Sequence, residues 1–251
     1  MGGYVLRSYY EDVFFEFQVH PDERDAFIIL PGFPSSSSGQ EVISFLYEKG
    51  FNVFAPKYRG TFQSRGKFLQ TSPVEDLERF MFELKKGEAT NLWDMKKVFF
   101  KIKRIFVIGS SFGGSIACAL ACSSKQISKV ILASPVWDYK EHGRSFDEQN
   151  LEHLTLFIKR AFENLYRYDF KSLSAEMEKF KEFSFSYYKK NLKIPSLVFH
   201  DHSDRTVSIE HSRNAVKNIP HLQLIETNTG HGLSTKLLSQ YYPEIGAFLG
   251  N

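Results

Sequence analysis

Short apolar runs rich in β-branched residues recur along most of the chain, and stretches with helical spacing of apolar residues separate them. Two runs near the start, residues 4–10 and 12–19, predict an antiparallel hairpin at a sheet edge. The later runs contain few polar residues, as expected of strands that helices cover on both faces. These later runs are residues 24–30, 51–55, 105–108, 129–133, 196–200 and 222–226.

Helices are predicted between these strands by apolar spacing and by start and stop signals. The helix at 40–49 is stopped by Gly50, and the helix at 73–86 begins with Pro73 and carries acidic residues at the positive end of its dipole. The other predicted helices span residues 115–122, 209–217 and 234–249. Because strands and helices alternate, the fold class is α/β, with a mainly parallel central sheet of about eight strands flanked by helices.

This alternation stops after Ser134 and Pro135. Residues 138–191 are charged and aromatic with helical spacing, and no convincing strand interrupts them. We therefore expect a core built from residues 1–137 and 192–251, and a helical insertion at 138–191.

Composition and charge remove several classes of function. The net charge is +3, and the lysines and arginines are dispersed among nearly as many acidic residues, which gives no support for a nucleic-acid partner. No apolar run is long enough to span a membrane, and the first residues lack the apolar core of a secretory signal, which predicts a cytoplasmic protein. Cys118 and Cys122 lie one helical turn apart and are predicted to be reduced core residues.

One short motif carries the candidate chemistry. The strand at 105–108 leads into Gly109-Ser110-Ser111-Phe112-Gly113 and then into a helix, so Ser111 lies at a sharp strand-to-helix turn. Glycines on both sides leave room for the neighbouring chain, and the following helix offers free N–H groups and the positive end of its dipole. Ser111 is therefore the candidate nucleophile.

This strand–turn–helix setting of Gly-x-Ser-x-Gly resembles the nucleophile elbow of the α/β-hydrolase superfamily, whose serine hydrolases carry serine, acid and histidine in that order. The resemblance extends over nearly the whole chain. Asp204, three positions before Val207 in the loop after the strand at 196–200, matches the family's acid, and His231, between two glycines after the last strand, matches its histidine. The resemblance implies a catalytic triad of Ser111, Asp204 and His231.

The loop Leu30-Pro31-Gly32-Phe33-Pro34 is similar to the family's oxyanion loop, commonly His-Gly-x-x, with proline in place of the histidine. The resemblance implies an oxyanion hole formed by the backbone N–H groups of Phe33 and Phe112. It also implies that the insertion at 138–191 is a cap over the nucleophile. The cap's many aromatic residues predict an apolar pocket for an acyl or aromatic part of the substrate. They include Phe146, Phe157, Phe162, Tyr166, Tyr168, Phe170, Phe180, Phe183, Phe185, Tyr187 and Tyr188.

The implied activity is that of a carboxylesterase-like serine hydrolase that forms an acyl-enzyme from a small-molecule ester or amide, and no cofactor is implied. Two alternatives stay open. The segment Lys57-Tyr58-Arg59-Gly60-Thr61 looks similar to the Tyr-Arg-Gly stretch of prolyl-oligopeptidase-type peptidases, which favours a small serine peptidase, although we interpret Arg59 as holding its own loop. The other alternative is a non-catalytic hydrolase-fold scaffold, a class that usually lacks part of the triad.

A metal-dependent alternative comes from His200-x-His202-x-Asp204, the spacing with which metallo-β-lactamase-like hydrolases begin their zinc site. Those enzymes place a histidine where this chain has Arg205. The motif also falls late in the chain, and too little sequence follows it for the distal ligands. We therefore expect no metal site.

Overall fold

A computed structural model describes residues 4–35, 39–144, 146, 148, 151–162, 165–168 and 173–250, with the backbone alone at 151–154, 173 and 174. Ten strands are present in these residues. They are β1 Leu6–Tyr10, β2 Val13–Gln18, β3 Glu23–Leu30, β4 Asn52–Pro56, β5 Glu88–Thr90, β6 Lys97–Phe99, β7 Lys101–Ser110, β8 Ile127–Ala133, β9 Ser196–Asp201 and β10 Leu222–Thr227.

Eight of these strands form the central sheet, in the order β1-β2-β4-β3-β7-β8-β9-β10. The pairs β1–β2 and β2–β4 are antiparallel, and the other neighbouring pairs in this sheet are parallel. The prediction of a mainly parallel sheet of about eight strands is therefore confirmed. The carboxyl ends of the parallel strands meet at one edge of the sheet, where the candidate residues follow them.

Helices flank the sheet. They are α1 Gln40–Glu48, α2 Pro73–Leu84, α3 Phe112–Ser123, α4 Leu151–Phe162, α5 Leu173–Glu178, α6 Phe185–Asn191, α7 Ile209–Asn218, α8 Thr235–Gln240 and α9 Tyr242–Leu249, and a 3₁₀ helix covers Lys181–Phe183. None of the described helices has the length and apolar character that crossing a bilayer requires.

Strand β3 illustrates why the central strands are apolar throughout. Ile28 and Leu30 belong to the hydrophobic cluster that includes buried residues of α2 and α3, whereas Phe27 and Ile29 belong to the cluster on α1, α8 and α9. Successive side chains of a strand point to opposite faces, so a sheet with helices on both faces needs apolar residues at every position.

The structure differs from the sequence prediction in two places. The helix predicted at 234–249 is two helices, α8 and α9, because Pro243 has no N–H to donate within a helix and its ring would clash with the carbonyl four residues earlier. The sequence assigns no element to residues 88–90 and 97–99, which form strands β5 and β6 and pair as a separate two-stranded sheet.

Candidate active site

Ser111 lies at the junction of β7 and α3, where the backbone turns sharply. Its φ is 51° and its ψ −115°, an unusual conformation for a residue with a side chain. A Cβ on Gly109 would lie 2.2 Å from the carbonyl oxygen of Gly113, and a Cβ on Gly113 would lie 2.2 Å from that of Leu30. The two glycines of the motif therefore allow the close backbone approach that the sequence predicts, and Ser111 is held at the first turn of α3.

Asp204 and His231 come together from two different loops. His231 Nδ1 lies 2.7 Å from Asp204 Oδ2, and Asp204 Oδ1 accepts hydrogen bonds from the N–H groups of Thr206 and Val207 at 2.8 and 3.1 Å. The Asp204 side chain is fully buried, whereas that of His231 is 29% exposed. An ionised carboxylate only accepts hydrogen bonds, so His231 donates its Nδ1–H and leaves Nε2 as an acceptor.

The pKa of Asp204 reflects this environment. Burial alone would raise it, but the hydrogen bond and charge of His231 and the N–H of Val207 act the other way and lower the pKa to about 2. Asp204 is therefore ionised at neutral pH and is able to orient the imidazole and stabilise its protonated form.

Three residues that the sequence did not reveal hold the His231 loop in place. Asp201, at the end of β9, accepts hydrogen bonds from the N–H groups of Ser203 at 2.7 Å and Gly230 at 2.6 Å. Ser110 Oγ accepts one from the Leu233 N–H at 3.0 Å, and Ser134 Oγ accepts one from the Gly232 N–H at 3.3 Å. From the sequence alone we interpret Asp201 as a simple polar loop residue. That interpretation is wrong, because its buried carboxylate joins the two loops that carry Asp204 and His231.

The candidate oxyanion loop, residues 31–34, is fixed by aromatic packing. The Phe33 ring stacks on Phe68 with centroids 4.8 Å apart and contacts Phe112 and Tyr166 edge-on or tilted. Tyr58 donates a hydrogen bond from its hydroxyl to the Pro31 carbonyl at 2.9 Å. Aromatic groups from several parts of the chain therefore enclose the loop.

A cavity of about 420 Å³ joins these parts. Ser111, Phe112, Phe33 and His231 all line it. The structure thus brings the predicted nucleophile and histidine, and the two residues of the predicted oxyanion hole, to one cavity, with Asp204 behind the histidine. Residues from the 138–191 region complete the wall, namely Tyr139, His142, Phe157 and Met177.

Most of the described aromatic residues of the insertion do not line this cavity. Tyr166, Phe183 and Tyr188 are almost fully buried in the main hydrophobic cluster, and Phe157 is the one of the predicted set that contributes to the cavity wall among the described residues. Phe170 lies outside the described residues. The aromatic content of the insertion thus mainly serves packing on the sheet and the loops around it.

One short part of the insertion, residues 165–168, is joined to the loop after β4. The N–H groups of Phe62 and Phe68 donate to the carbonyls of Leu165 and Arg167, each at 2.7 Å, and the Arg167 N–H donates to the Gly60 carbonyl at 2.8 Å. Tyr166 also accepts a hydrogen bond at its hydroxyl from the Ser35 N–H at 2.9 Å. Residues 165–168 therefore connect the loop after β4 to Ser35, which directly follows the candidate oxyanion loop.

Two other histidines lie near the candidate site, His200 in the core and His142 at the cavity. His200 is fully buried, with Nδ1 2.8 Å from Ser212 Oγ and Nε2 2.9 Å from the Val207 carbonyl, and burial lowers its pKa. His142 lines the cavity with its Nδ1 3.6 Å from Glu148 Oε2, a placement that the sequence did not indicate. Within the part of the chain that the structure describes, no three His, Cys, Asp or Glu side chains are placed to share a metal ion.

Arg59 holds its own loop in place, in agreement with the interpretation from the sequence. Its guanidinium forms two hydrogen bonds to Asp76, at 2.8 and 2.9 Å, and pairs with Asp12 in the turn between β1 and β2. Cys118 is buried and Cys122 partly buried, and both are unbonded; burial raises the pKa of both thiols, that of Cys122 to about 12. Cys118 lies in the main hydrophobic cluster and Cys122 packs against it.

A family model described as serine aminopeptidase, S33, matches residues 21–184, well over half of the chain. The chain belongs to this family. Its members are hydrolases, so the chain is a member of a hydrolase family. The match includes Ser111 but ends before Asp204 and His231. No curated protein matches the sequence.

Solved structures are similar to this chain over almost their whole length. The esterase Pf2001 of Pyrococcus furiosus is 21% identical with a TM-score of 0.67, covering 98% of this chain and 91% of its own. DcsB, solved in complex with its substrate analogue, is 14% identical with a TM-score of 0.71, covering 98% of each chain. A monoacylglycerol lipase of Paleococcus ferrophilus is 18% identical with a TM-score of 0.65, covering 94% and 98%. These likenesses confirm the α/β-hydrolase fold.

Proposed function

We propose that the protein is a serine hydrolase that cleaves small-molecule carboxylic esters, with Ser111, His231 and Asp204 as its catalytic triad. One observation carries the proposal: His231, oriented by the buried Asp204 carboxylate at 2.7 Å, lines the same cavity as Ser111. The orienting bond uses Nδ1 and leaves Nε2 free to accept the serine proton, which is the arrangement that nucleophilic catalysis by serine requires.

The reaction proceeds in two steps. Ser111 Oγ attacks the ester carbonyl carbon while His231 Nε2 takes its proton, and the resulting tetrahedral intermediate expels the alcohol, which receives that proton from His231. Water then attacks the acyl-enzyme and gives a proton to His231, and the collapse of the second intermediate releases the carboxylic acid and returns the proton to Ser111. Asp204 stays ionised and stabilises the imidazolium at each step.

The negative oxygen of each intermediate needs donors close to Ser111. The N–H of Phe112 belongs to the first turn of α3, where N–H groups have no helical carbonyl to bond and the helix dipole is positive. The N–H of Phe33 is the second donor, on the loop that packs against Phe112. A donor of this kind typically stabilises the transition state by about 3 kcal/mol.

The insertion at residues 138–191 acts as a cap in this proposal. Its contribution to the cavity is mixed, with the apolar Phe157 and Met177 beside Tyr139 and His142. An apolar acyl chain is the substrate part that such a wall accommodates, and the similar structures of an esterase and a monoacylglycerol lipase agree with ester substrates.

The second candidate is hydrolysis of an aminoacyl amide, because the matching family is described as a serine aminopeptidase. An aminopeptidase needs a counter-charge for the substrate's free ammonium. The described residues that line the cavity include Lys57 but no aspartate or glutamate that could supply this counter-charge. We therefore favour esters. A non-catalytic scaffold is disfavoured because none of the three reactive groups is missing.

The direct test is labelling by a fluorophosphonate probe together with turnover of p-nitrophenyl acetate. Ser111→Ala should lose both and keep the melting temperature of the native chain to within a few degrees. Ser123→Ala is the matched control, since it removes a hydroxyl at the far end of α3 that bonds Glu78, and it should remain labelled. Full turnover by Ser111→Ala would disprove the assignment of the nucleophile.

A second measurement separates the two substrate classes. The native chain should hydrolyse p-nitrophenyl esters with a higher kcat/KM than aminoacyl p-nitroanilides of similar size. The opposite order, with labelling still lost in Ser111→Ala, would favour the peptidase while keeping the triad.

A further inference from the structure

The hairpin formed by β5 and β6 exposes an unusual group of large apolar side chains. Trp93 is 93% exposed, Met95 69%, Phe99 64% and Leu92 38%. We call these four residues the apolar tip. Single exposed apolar residues are common on protein surfaces, but four of them within eight positions of one hairpin indicate a surface that contacts another apolar phase.

The hairpin that carries the apolar tip is well anchored. Ala89 and Val98 pack on the main core, the Leu92 N–H donates to the Arg7 carbonyl at 2.9 Å, and the Tyr10 hydroxyl donates to the Glu88 carbonyl at 2.6 Å. The exposed apolar side chains are therefore carried by a hairpin that is fixed to the rest of the fold.

The turn itself is held by its polar residues. Asn91 donates from its side chain to Asp94 Oδ1 at 2.9 Å, and its N–H and carbonyl bond the Lys96 carbonyl and the Met95 N–H. The polar side chains are thus used inside the turn, while the apolar ones face outward. A preordered tip loses little conformational entropy when it binds.

The chain around the β5–β6 hairpin carries a net positive charge. Residues 82–103 contain six lysines and three acidic residues. Three lysines pair with those acids, Lys86 with Glu83, Lys97 with Glu88 and Lys96 with Asp94. The others, Lys85, Lys101 and Lys103, have no ion pair with a carboxylate of the described residues. They line a groove of about 750 Å³ to which Phe99 and one acidic residue, Glu23, also contribute.

We infer that the β5–β6 hairpin attaches the protein to the surface of an anionic lipid bilayer, with the apolar tip inserted among the headgroups and the lysine-lined groove facing lipid phosphates. A bilayer surface offers both chemistries that the hairpin matches, an apolar layer and negative charge. Neither feature alone gives firm attachment, since peripheral proteins need two signals.

A second copy of the chain fits this surface less well. A two-fold contact places the same patch on both sides of the interface, so the unpaired lysines would face each other. A nucleic acid would neutralise the lysines but would leave Trp93 and Met95 in water. An anionic lipid surface can bury the apolar side chains and also neutralise the lysines.

The attachment lies away from the cavity. The hairpin leads directly into β7 at Lys101, and β7 ends at Ser110 beside the nucleophile, so the ten-residue strand separates them by about 30 Å. Changes in the hairpin should therefore leave turnover of a soluble ester unchanged, which makes binding and catalysis independent readouts.

The chain has two tryptophans, and Trp137 is already buried, so a shift in tryptophan emission on adding vesicles reports Trp93. With the full chain, vesicles of phosphatidylcholine and phosphatidylglycerol in equal parts should cause a blue shift and co-sediment the protein, and vesicles of phosphatidylcholine alone should do neither. The variant with Trp93→Ser and Met95→Ser should bind at least about tenfold more weakly. Lys101→Gln and Lys103→Gln should each weaken binding about fivefold.

Matched controls lie on the insertion. Leu156→Ser removes an apolar side chain of similar exposure on α4, and Lys189→Gln with Lys190→Gln removes two exposed charges at the end of α6. These should bind as the native chain does, and every variant should keep soluble-ester turnover.

Absence of binding to the mixed vesicles, equal binding to neutral vesicles, or equal losses in the controls would each overturn the inference. Self-association abolished by the Trp93 and Met95 changes, without vesicle binding, would assign the patch to a second copy instead. Vesicle binding does not depend on hydrolysis, so it tests this inference apart from the proposed activity.

Discussion

At the scale of single residues, Asp204 does more than accept one hydrogen bond. Its Oδ1 accepts hydrogen bonds from the backbone N–H groups of Thr206 and Val207 in its own loop, and its Oδ2 accepts one from His231 Nδ1–H. An amide in its place would still fit the cavity behind the histidine, but it would present an N–H₂ group or a weaker acceptor and would favour the wrong imidazole tautomer.

Asp204→Asn should therefore lower kcat for p-nitrophenyl acetate by about 10⁴-fold with a much smaller effect on KM. Asp22→Asn, in an exposed turn, is the control and should retain the native rate. A loss below tenfold in Asp204→Asn would contradict the proposed role of Asp204 in catalysis.

The same residue links stability to pH. Its pKa is lowered in the folded chain to about 2 from an ordinary 3.8, so its contribution of about 2 kcal/mol is present above pH 3.8 and is lost as pH falls through 2. Asp204→Asn lacks this titration, so the difference in urea midpoint between native chain and variant should shrink between pH 5 and pH 2.5.

Which site residues the sequence reveals depends on how they act. Ser111 and its two glycines form a local pattern, and Asp204 and His231 each follow a strand. Asp201 supports the site through Gly230, 29 positions later, and Ser134 through Gly232, so no local spacing marks either of them. Their roles become visible only when β8, β9 and β10 are placed side by side.

At the scale of elements, Arg59 joins three parts of the chain. It connects the loop after β4 to the β1–β2 turn through Asp12 and to the first turn of α2 through Asp76, whose side chain is only 5% exposed. A buried carboxylate that loses its partner keeps its desolvation cost without compensation.

Arg59→Met should therefore destabilise the protein by about 3 kcal/mol in urea unfolding while leaving KM for a soluble ester unchanged. Arg79→Met provides the comparison, because Arg79 is 53% exposed, contacts Asp76 at 3.8 Å and should contribute under about 1 kcal/mol. A raised KM without loss of stability in Arg59→Met would indicate that Arg59 binds substrate, and it would favour the peptidase alternative.

The elements also differ in how well the sequence predicts them. The central strands were predicted because apolar side chains are needed on both faces. Strands β5 and β6 have three residues each and carry outward Glu88, Lys97 and Phe99, so neither an apolar run nor a clean alternation marks them. The break between α8 and α9 at Pro243 could have been predicted from the proline alone.

At the scale of the whole molecule, the cavity combines the sheet core with the insertion, and this is the part that sequence patterns predict least. The aromatic content predicted an apolar pocket in general, but the identity of its lining follows from packing among distant segments. Met177 is an example, a residue that is 1% exposed and lines the cavity without any motif around it.

Substrate preference should follow from this cavity. Across p-nitrophenyl esters from acetate upward, kcat/KM should rise about fourfold per CH₂ until the cavity is filled. Met177→Ala should move the optimum to longer chains, whereas Met81→Ala, buried in the core away from the cavity, should cost similar stability without moving it. A flat profile, or one that falls beyond acetate, would mean that the insertion forms no acyl site.

The backbone of Ser111 has a consequence for selection. A residue with a Cβ is disfavoured by about 1–3 kcal/mol at its φ of 51° and ψ of −115°, whereas glycine tolerates this conformation. Ser111→Gly should therefore melt at a higher temperature than Ser111→Ala, and both should be inactive. A population of variants screened for heat resistance alone would drift toward glycine at this position, so the proposed activity is what maintains a serine where the fold prefers none.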